Sequence, residues 1–233
     1  MNRFWTAMAF LTRLPVPVIR GDAGDVAAAI RYYPAVGIVI GAIVAGSMWL
    51  GAMRDPWLGA LAGLVAWVMV TGALHLDGLG DVADGVGAAH GDRARLSAVM
   101  RDPHVGSFAV VAIGVQLIAK LILLHDVAGD GRVLLVPFAA RVGPLFWARW
   151  VSPLGQGLGA RVAAAVRSRD LAGWGAVLAG VCVLAPPLLI VPGAILAFGA
   201  WLRWRLGGVN GDAHGAGIEL VETAALLGLA TIG

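Results

Sequence analysis

From residue 34 to its end the chain is a succession of long runs of Ala, Val, Leu, Ile and Gly, interrupted only by short polar intervals. A water-soluble domain of this length has too little interior to bury so many such runs. A bilayer has no such limit, since about 20 apolar residues in a helix cross its hydrocarbon core. Within lipid each backbone N–H and C=O must be satisfied inside the segment, and this leaves helices as the folding unit. The composition agrees: 59% of the residues are hydrophobic and 13% are charged, against roughly a quarter charged in soluble proteins. The chain is therefore expected to be all-α, a polytopic integral membrane helical bundle forming a single domain over residues 1–233.

Seven transmembrane segments can be drawn, at about residues 34–53, 57–74, 106–124, 133–150, 172–187, 188–202 and 217–232. Pro186 and Pro187 divide an apolar stretch of some 30 residues, long for one span and short for two. A tight turn between two spans is the reading adopted, with one kinked helix as the alternative. Residues 4–11 are apolar but too short for a secretory signal core, and Arg13, Pro15 and Pro17 follow at once. They predict a short interfacial helix resting on the membrane through Phe4, Trp5, Met8 and Phe10.

Arginine placement tests this division. Arg3, Arg13, Arg20, Arg31, Arg93, Arg95, Arg101, Arg149, Arg161, Arg167, Arg169, Arg203 and Arg205 fall on one side of a seven-span bundle, and only Arg54 and Arg132 on the other. The positive-inside rule puts the N-terminal segment 1–31 and the polar stretches 75–105 and 203–216 in the cytoplasm. The same asymmetry explains the net charge of +3 and the pI near 9.7 without nucleic acid. No basic cluster is interleaved with aromatics as nucleic-acid binding would require. Cys182 stands alone in an apolar run, so no disulfide framework or CxxC pair exists. The spacings Gly37-x-x-x-Gly41 and Gly59-x-x-x-Gly63 let helices pack closely in lipid and say nothing of chemistry.

Chemistry enters with His75-Leu-Asp77-Gly-Leu-Gly-Asp81-Val-Ala-Asp84-Gly85. At ~100° per residue the three aspartates fall within an arc of about 60° on one helical face. Three such anions in an apolar chain call for a cation or open water. Mg²⁺ suits them, because it takes few protein carboxylates and completes its shell with water and substrate phosphate. Gly78, Gly80, Gly85 and Gly87 would leave room for a bulky ligand. A second acidic block, Asn210-Gly211-Asp212 with Glu219 and Glu222, opens the last span; Asp212 also suits the positive end of a helix. Carboxylates placed inside an apolar run are functional candidates. Arg101, Lys120 and Arg141 would pair either with an acid of the triad Asp77, Asp81 and Asp84 or with substrate phosphate, and Lys120 could also snorkel to an interface. The histidines at 75, 90, 104, 125 and 214 show no HExxH or other ligand spacing. Gly155-x-Gly157-x-Gly159 departs from the dinucleotide fingerprint.

These blocks resemble the adenosylcobinamide-GDP ribazoletransferase, or cobalamin synthase, family over nearly the whole chain. The resemblance is carried by Phe10-Leu-Thr-Arg13-Leu-Pro-Val-Pro17, Tyr33-Pro-Ala-Val-Gly37, residues 71–85, Met100-Arg-Asp102 with Val105-Gly106, and residues 206–222. It implies an inner-membrane, Mg²⁺-dependent enzyme of the last steps of vitamin B12 assembly. Such an enzyme joins adenosylcobinamide-GDP to α-ribazole or its 5′-phosphate and releases GMP. In that reading Asp77, Asp81, Asp84 and Asp212 hold the metal, while Asp81, Asp84 and Asp212 are the catalytic candidates. His75, Arg101, Lys120, Arg141, Gly208, Gly211, Glu219 and Glu222 contact substrate or phosphate. Sequence does not divide ligand from base among the acids, nor give the oligomeric state. Asn210 stands where a threonine-like residue is expected. The rival readings are a CDP-alcohol phosphotransferase, whose cluster carries a nearby Ala-Arg lacking here, and a cation transporter, whose acids belong at the bilayer midplane.

Overall fold

The computed structural model describes residues 2–17, 22–89, 92–155 and 158–232, and among them no strand forms beyond one isolated bridge between Pro153 and Val209. Arg20, His90 and Gly157 lie outside the described residues. Helix α1 (Asn2–Leu11) turns Ala7, Met8 and Leu11 into the bundle. Met8 is thus a core residue rather than a membrane contact, while Phe10 stays exposed and stacks on Tyr33 with ring centroids 6.1 Å apart. Helix α2 (Ala23–Ala28), capped by the Asp22 side chain, passes through a 3₁₀ turn into α3 (Tyr33–Ala52).

Helix α4 (Pro56–Thr71) starts where sequence chemistry puts it. Asp55 accepts from the Trp57 and Leu58 N–H groups, and Pro56 occupies the first turn, where its missing N–H costs nothing. The glycine spacings pack as expected. Gly37 and Gly41 face the backbone at Pro137 and Leu134, while Gly59 and Gly63 meet Ala52 and Met48. Helix α4 ends at Gly72 and Ala73, both left-handed at φ 61° and 59°. The next helix, α5 (Leu74–Ala89), leaves at 84° to α4.

Helix α6 (Arg93–Val99) and a short loop lead to α7 (Ser107–Asp126). Then a 3₁₀ turn, α8 (Val136–Ala140) and α9 (Gly143–Trp150) follow, with the helix interrupted at Arg141 and Val142. Helices α10 (Leu158–Ala165) and α11 (Ser168–Leu184) come next. The chain leaves helical geometry at Ala185, immediately before the two prolines, and restarts through a 3₁₀ turn into α12 (Ile190–Trp201). A π turn (Leu202–Leu206) ends at Gly207, φ 77°, and α13 (Gly211–Ile232) closes the bundle.

All seven expected segments fall on helix, yet fewer are unbroken spans. Among the described residues, four helices are long and apolar enough to cross a membrane: Gly24–Ala52, Ser107–Asp126, Pro186–Leu206 and Gly211–Ile232. The bent pair α4 and α5 would make a fifth. The segment at 133–150 is cut at Arg141, and α11 has only 17 residues. In α13, 61% of the apolar window is buried, against 22% in α7, so α13 is the central post and α7 lies at the periphery. Trp57 at the start of α4 stacks on His125 at the end of α7, 3.9 Å between centroids. The end of α4, the start of α7 and helix α5 therefore share the opposite rim of the bundle.

Candidate active site

The two acidic blocks meet where α5 crosses α13. A methyl group placed on Gly78 would stand 2.7 Å from the Asp212 carbonyl oxygen, and one on Gly215 would stand 3.2 Å from the His75 Cα. The crossing is backbone against backbone, which only glycine permits at that distance. Asp77 and Asp81 flank Gly78 and are thereby brought to Asp212; Asp81 lies within electrostatic reach of Asp212, Asp77 and Asp84. None of the four forms an ion pair among the described residues.

The four aspartates are not equivalent. Asp77 is exposed and Asp81 half-buried, but Asp84 is only 8% exposed. Its two oxygens accept the Gly106 N–H at 2.6 Å and the Ala109 N–H at 2.9 Å. Helix α7 begins at a glycine with no side-chain cap of its own, and Asp84 supplies that cap from α5. Asp84 thus carries a structural task, the cap of α7, beside its expected place among the metal ligands and bases. Asp212 is half-buried, and Asn210 Nδ2 donates to its Oδ2 at 2.8 Å. Asn210 Oδ1 meanwhile accepts the Ala213 N–H at 2.9 Å, capping α13. From sequence Asn210 stands out only as a departure from the family pattern, although an Asn three residues before a helical N–H is a recognisable capping signal.

The α5 glycines, expected to admit a ligand, admit protein instead. Gly80 faces Ala109 and Ile113, Gly85 faces Met100, and Gly87 faces the Phe108 ring. Gly208 is likewise packed against Ser152 and Leu154, where Val209 N–H donates to the Ser152 carbonyl at 2.9 Å. Gly211, by contrast, borders open space.

The expected phosphate-binding cations also find other partners. Lys120 Nζ lies 2.7 Å from Glu219 and 2.6 Å from Glu222, over the Trp67 ring at 4.3 Å. Arg141, fully buried at the break between α8 and α9, donates to Glu222 at 2.8 Å and to the Pro137 carbonyl at 2.9 Å. Gln116 Nε2 donates to Glu219 and to Thr223. Two cations and two anions thus neutralise one another inside the bundle, which is how charge survives in such a medium. Lys120, Arg141, Glu219 and Glu222 are accordingly an internal network rather than a substrate surface. His75 joins it to the site, since its Nδ1 lies 3.3 Å from Arg141 Nη2.

A cavity of about 190 Å³ opens beside this junction, lined among others by Tyr33, His75, Asp77, Asp212 and His214. His75 Nε2 and His214 Nδ1 are buried without a hydrogen bond among the described residues. A second hollow of about 220 Å³ shares Gly159, Asn210 and Gly211 with the first and carries the exposed Arg101 on its wall. The two adjoin along this shared wall, a track with Asp77 and Asp212 lining the first hollow and Arg101 the second. Among the described residues no three acid, His or Cys side chains gather closely enough to cage an ion. Asp77, Asp81 and Asp212 still fit Mg²⁺ in kind. They are hard oxygen donors without a protein cation, and Mg²⁺ is commonly held by one or two carboxylates with substrate phosphate completing its shell.

A sequence model of the family described as cobalamin-5-phosphate synthase matches residues 3–230. Among related proteins named adenosylcobinamide-GDP ribazoletransferase, that of Novosphingobium aromaticivorans is 55% identical, covering 100% of this chain and 98% of its own. Its counterpart in Laribacter hongkongensis is 49% identical, covering 97% and 96%. The Thiobacillus denitrificans protein is 46% identical, covering 95% and 92%. No solved structure matches the chain. With both acidic blocks inside the matched region and likeness running from end to end, the chain belongs to the cobalamin-5-phosphate synthase family and is a membrane-embedded transferase of cobalamin biosynthesis.

Proposed function

We propose that the chain joins adenosylcobinamide-GDP to α-ribazole, or to its 5′-phosphate, and releases GMP, with Mg²⁺ and at the cytoplasmic face of the inner membrane. The related proteins' names support the substrate class. The arginine asymmetry supports the sidedness, because the rim carrying α5, α6 and the start of α13 is the arginine-rich one. The reaction forms a bond from a ribazole ribose oxygen to the cobinamide-side phosphorus. It breaks the bond from that phosphorus to the bridging oxygen, which leaves with GMP. The hydroxyl proton passes to a carboxylate.

Asp212 is the carboxylate best placed for the proton. It lines the cavity, Asn210 fixes one of its oxygens, and the other is left without a partner among the described residues. Asp77 and Asp81 would hold Mg²⁺, which when bound would neutralise the diphosphate and favour the leaving group. Arg101, at the far end of the track, suits the departing phosphate, for which a guanidinium fork is well shaped. The observation carrying this reading is the contact of Gly78 with the Asp212 backbone, which unites the two acidic blocks.

The test uses purified full-length protein with adenosylcobinamide-GDP, α-ribazole and Mg²⁺, following GMP release. Asp212→Asn should lower turnover roughly 10²–10⁴-fold, the usual worth of a positioned acid–base group. Asp81→Asn should raise the Mg²⁺ concentration needed for half-maximal rate. Normal Mg²⁺-dependent turnover in the Asp81→Asn variant would remove the metal assignment, and normal turnover in Asp212→Asn would remove the base.

A further inference from the structure

We infer that the protein carries a site for one anionic phospholipid on the side of α5 facing away from the acids. An apolar groove of about 730 Å³ runs between α5, α7, α12 and α13, lined by Leu79, Val86, Phe108, Trp201 and Leu220 among others. At ~100° per residue, positions 79, 82, 83 and 86 fall opposite 77, 81 and 84, so this groove is separate from the catalytic track. Its wall continues into a lipid-facing surface: Phe108 is 54% exposed and Val111 63%.

The polar end follows along the same elements. One turn beyond Val86 and Trp201, a hollow of about 180 Å³ is bordered by Ala89, Arg93, Trp204 and Arg205. Arg93 and Arg205 form no ion pair among the described residues, although Asp92 lies on the same wall. Asp92 Oδ1 accepts the Ala94 and Arg95 N–H groups as the cap of α6, and among the described residues Asp92 forms no ion pair with either arginine. Arg93 packs over Gly207, which has no side chain to displace it. Trp204 is 74% exposed beside them, as an indole is where hydrocarbon meets headgroup. An apolar groove with two guanidinium groups and an interfacial indole one helical turn beyond it matches an acyl chain joined to a phosphodiester. A free phosphate would satisfy the arginines but leave the groove unfilled.

The test uses the full chain in detergent, titrated with chain-brominated phosphatidylglycerol or phosphatidylcholine while tryptophan fluorescence is read. Phosphatidylglycerol should quench at lower mole fraction, and Trp201→Phe should remove most of that difference. Each of Arg93→Gln and Arg205→Gln should weaken the phosphatidylglycerol response about fivefold, with Arg205→Lys retaining most of it. Ala112→Phe, which fills the groove and spares the arginines, should weaken both lipids. If Arg205→Gln does not fold, Arg93→Gln at an exposed side chain reads the same step. Equal quenching by the two lipids overturns the inference, as does a lipid preference unchanged by Arg93→Gln. Glycerol phosphate competing as strongly as the intact lipid would also overturn it, by assigning the arginines to free phosphate.

Discussion

At the scale of single residues, the aspartates divide by what each one already touches. Asp84 spends both oxygens on the start of α7. Asp84→Ala should therefore cost about 1–2 kcal/mol in stability, the worth of a helix cap, read as a lowered thermal midpoint. Asp84→Asn, which keeps one acceptor, should lose less and preserve the Mg²⁺ dependence of turnover, unlike Asp81→Asn. Glu222 meets both Lys120 and Arg141. Glu222→Gln leaves two buried cations facing Glu219 alone and should cost about 3–5 kcal/mol. Adding Lys120→Met to that variant should recover part of the loss, measurable by thermal unfolding in detergent. What sequence reveals at this scale depends on separation along the chain. The aspartate spacing in α5 is local and readable. The partners of Asp84 lie 22 and 25 residues away, and Arg141 meets Glu222 across 81. Nothing in a linear pattern distinguishes a carboxylate waiting for metal from one holding a distant helix.

Among elements, the crossing of α5 and α13 determines whether there is a site at all. Gly78→Val should force the helices apart, since even a single added carbon would sit 2.7 Å from the Asp212 carbonyl oxygen. Overpacking of this kind costs about 1–3 kcal/mol. Turnover should fall more steeply than stability, because the separation falls between Asp77 and Asp212. Ala73 adopts φ 59°, a region that strains any side chain. Ala73→Gly should therefore raise stability by about 1 kcal/mol, provided the bend is kept. Glycine counts alone mislead here. The small-residue spacings in α3 and α4 do mark helix packing, but those in α5 belong to packing too and not to ligand access.

For the whole molecule, hydropathy made the helical membrane bundle legible, and the paired prolines placed one of its breaks. The seven segments all lie on helix, and the chain leaves helical geometry at Ala185, beside the prolines. What hydropathy could not show is continuity. The stretch at 133–150 reads as one span, yet Arg141 interrupts it, because its charge is met by Glu222 from α13. The polar stretches between the apolar runs are mostly helix too, α5 and α6 among them, since a helix lying along a rim needs no long apolar run.

The 84° turn after Thr71 settles a practical problem of scale. A corrinoid joined to a nucleotide is far too bulky to thread between tightly packed helices. Because α5 swings across the end of the bundle, the exposed Asp77 and half-buried Asp81 stand on a ledge that the bulky substrate of the proposed reaction can approach broadside. The helices beneath are then a foundation for the chemistry and not a passage through it.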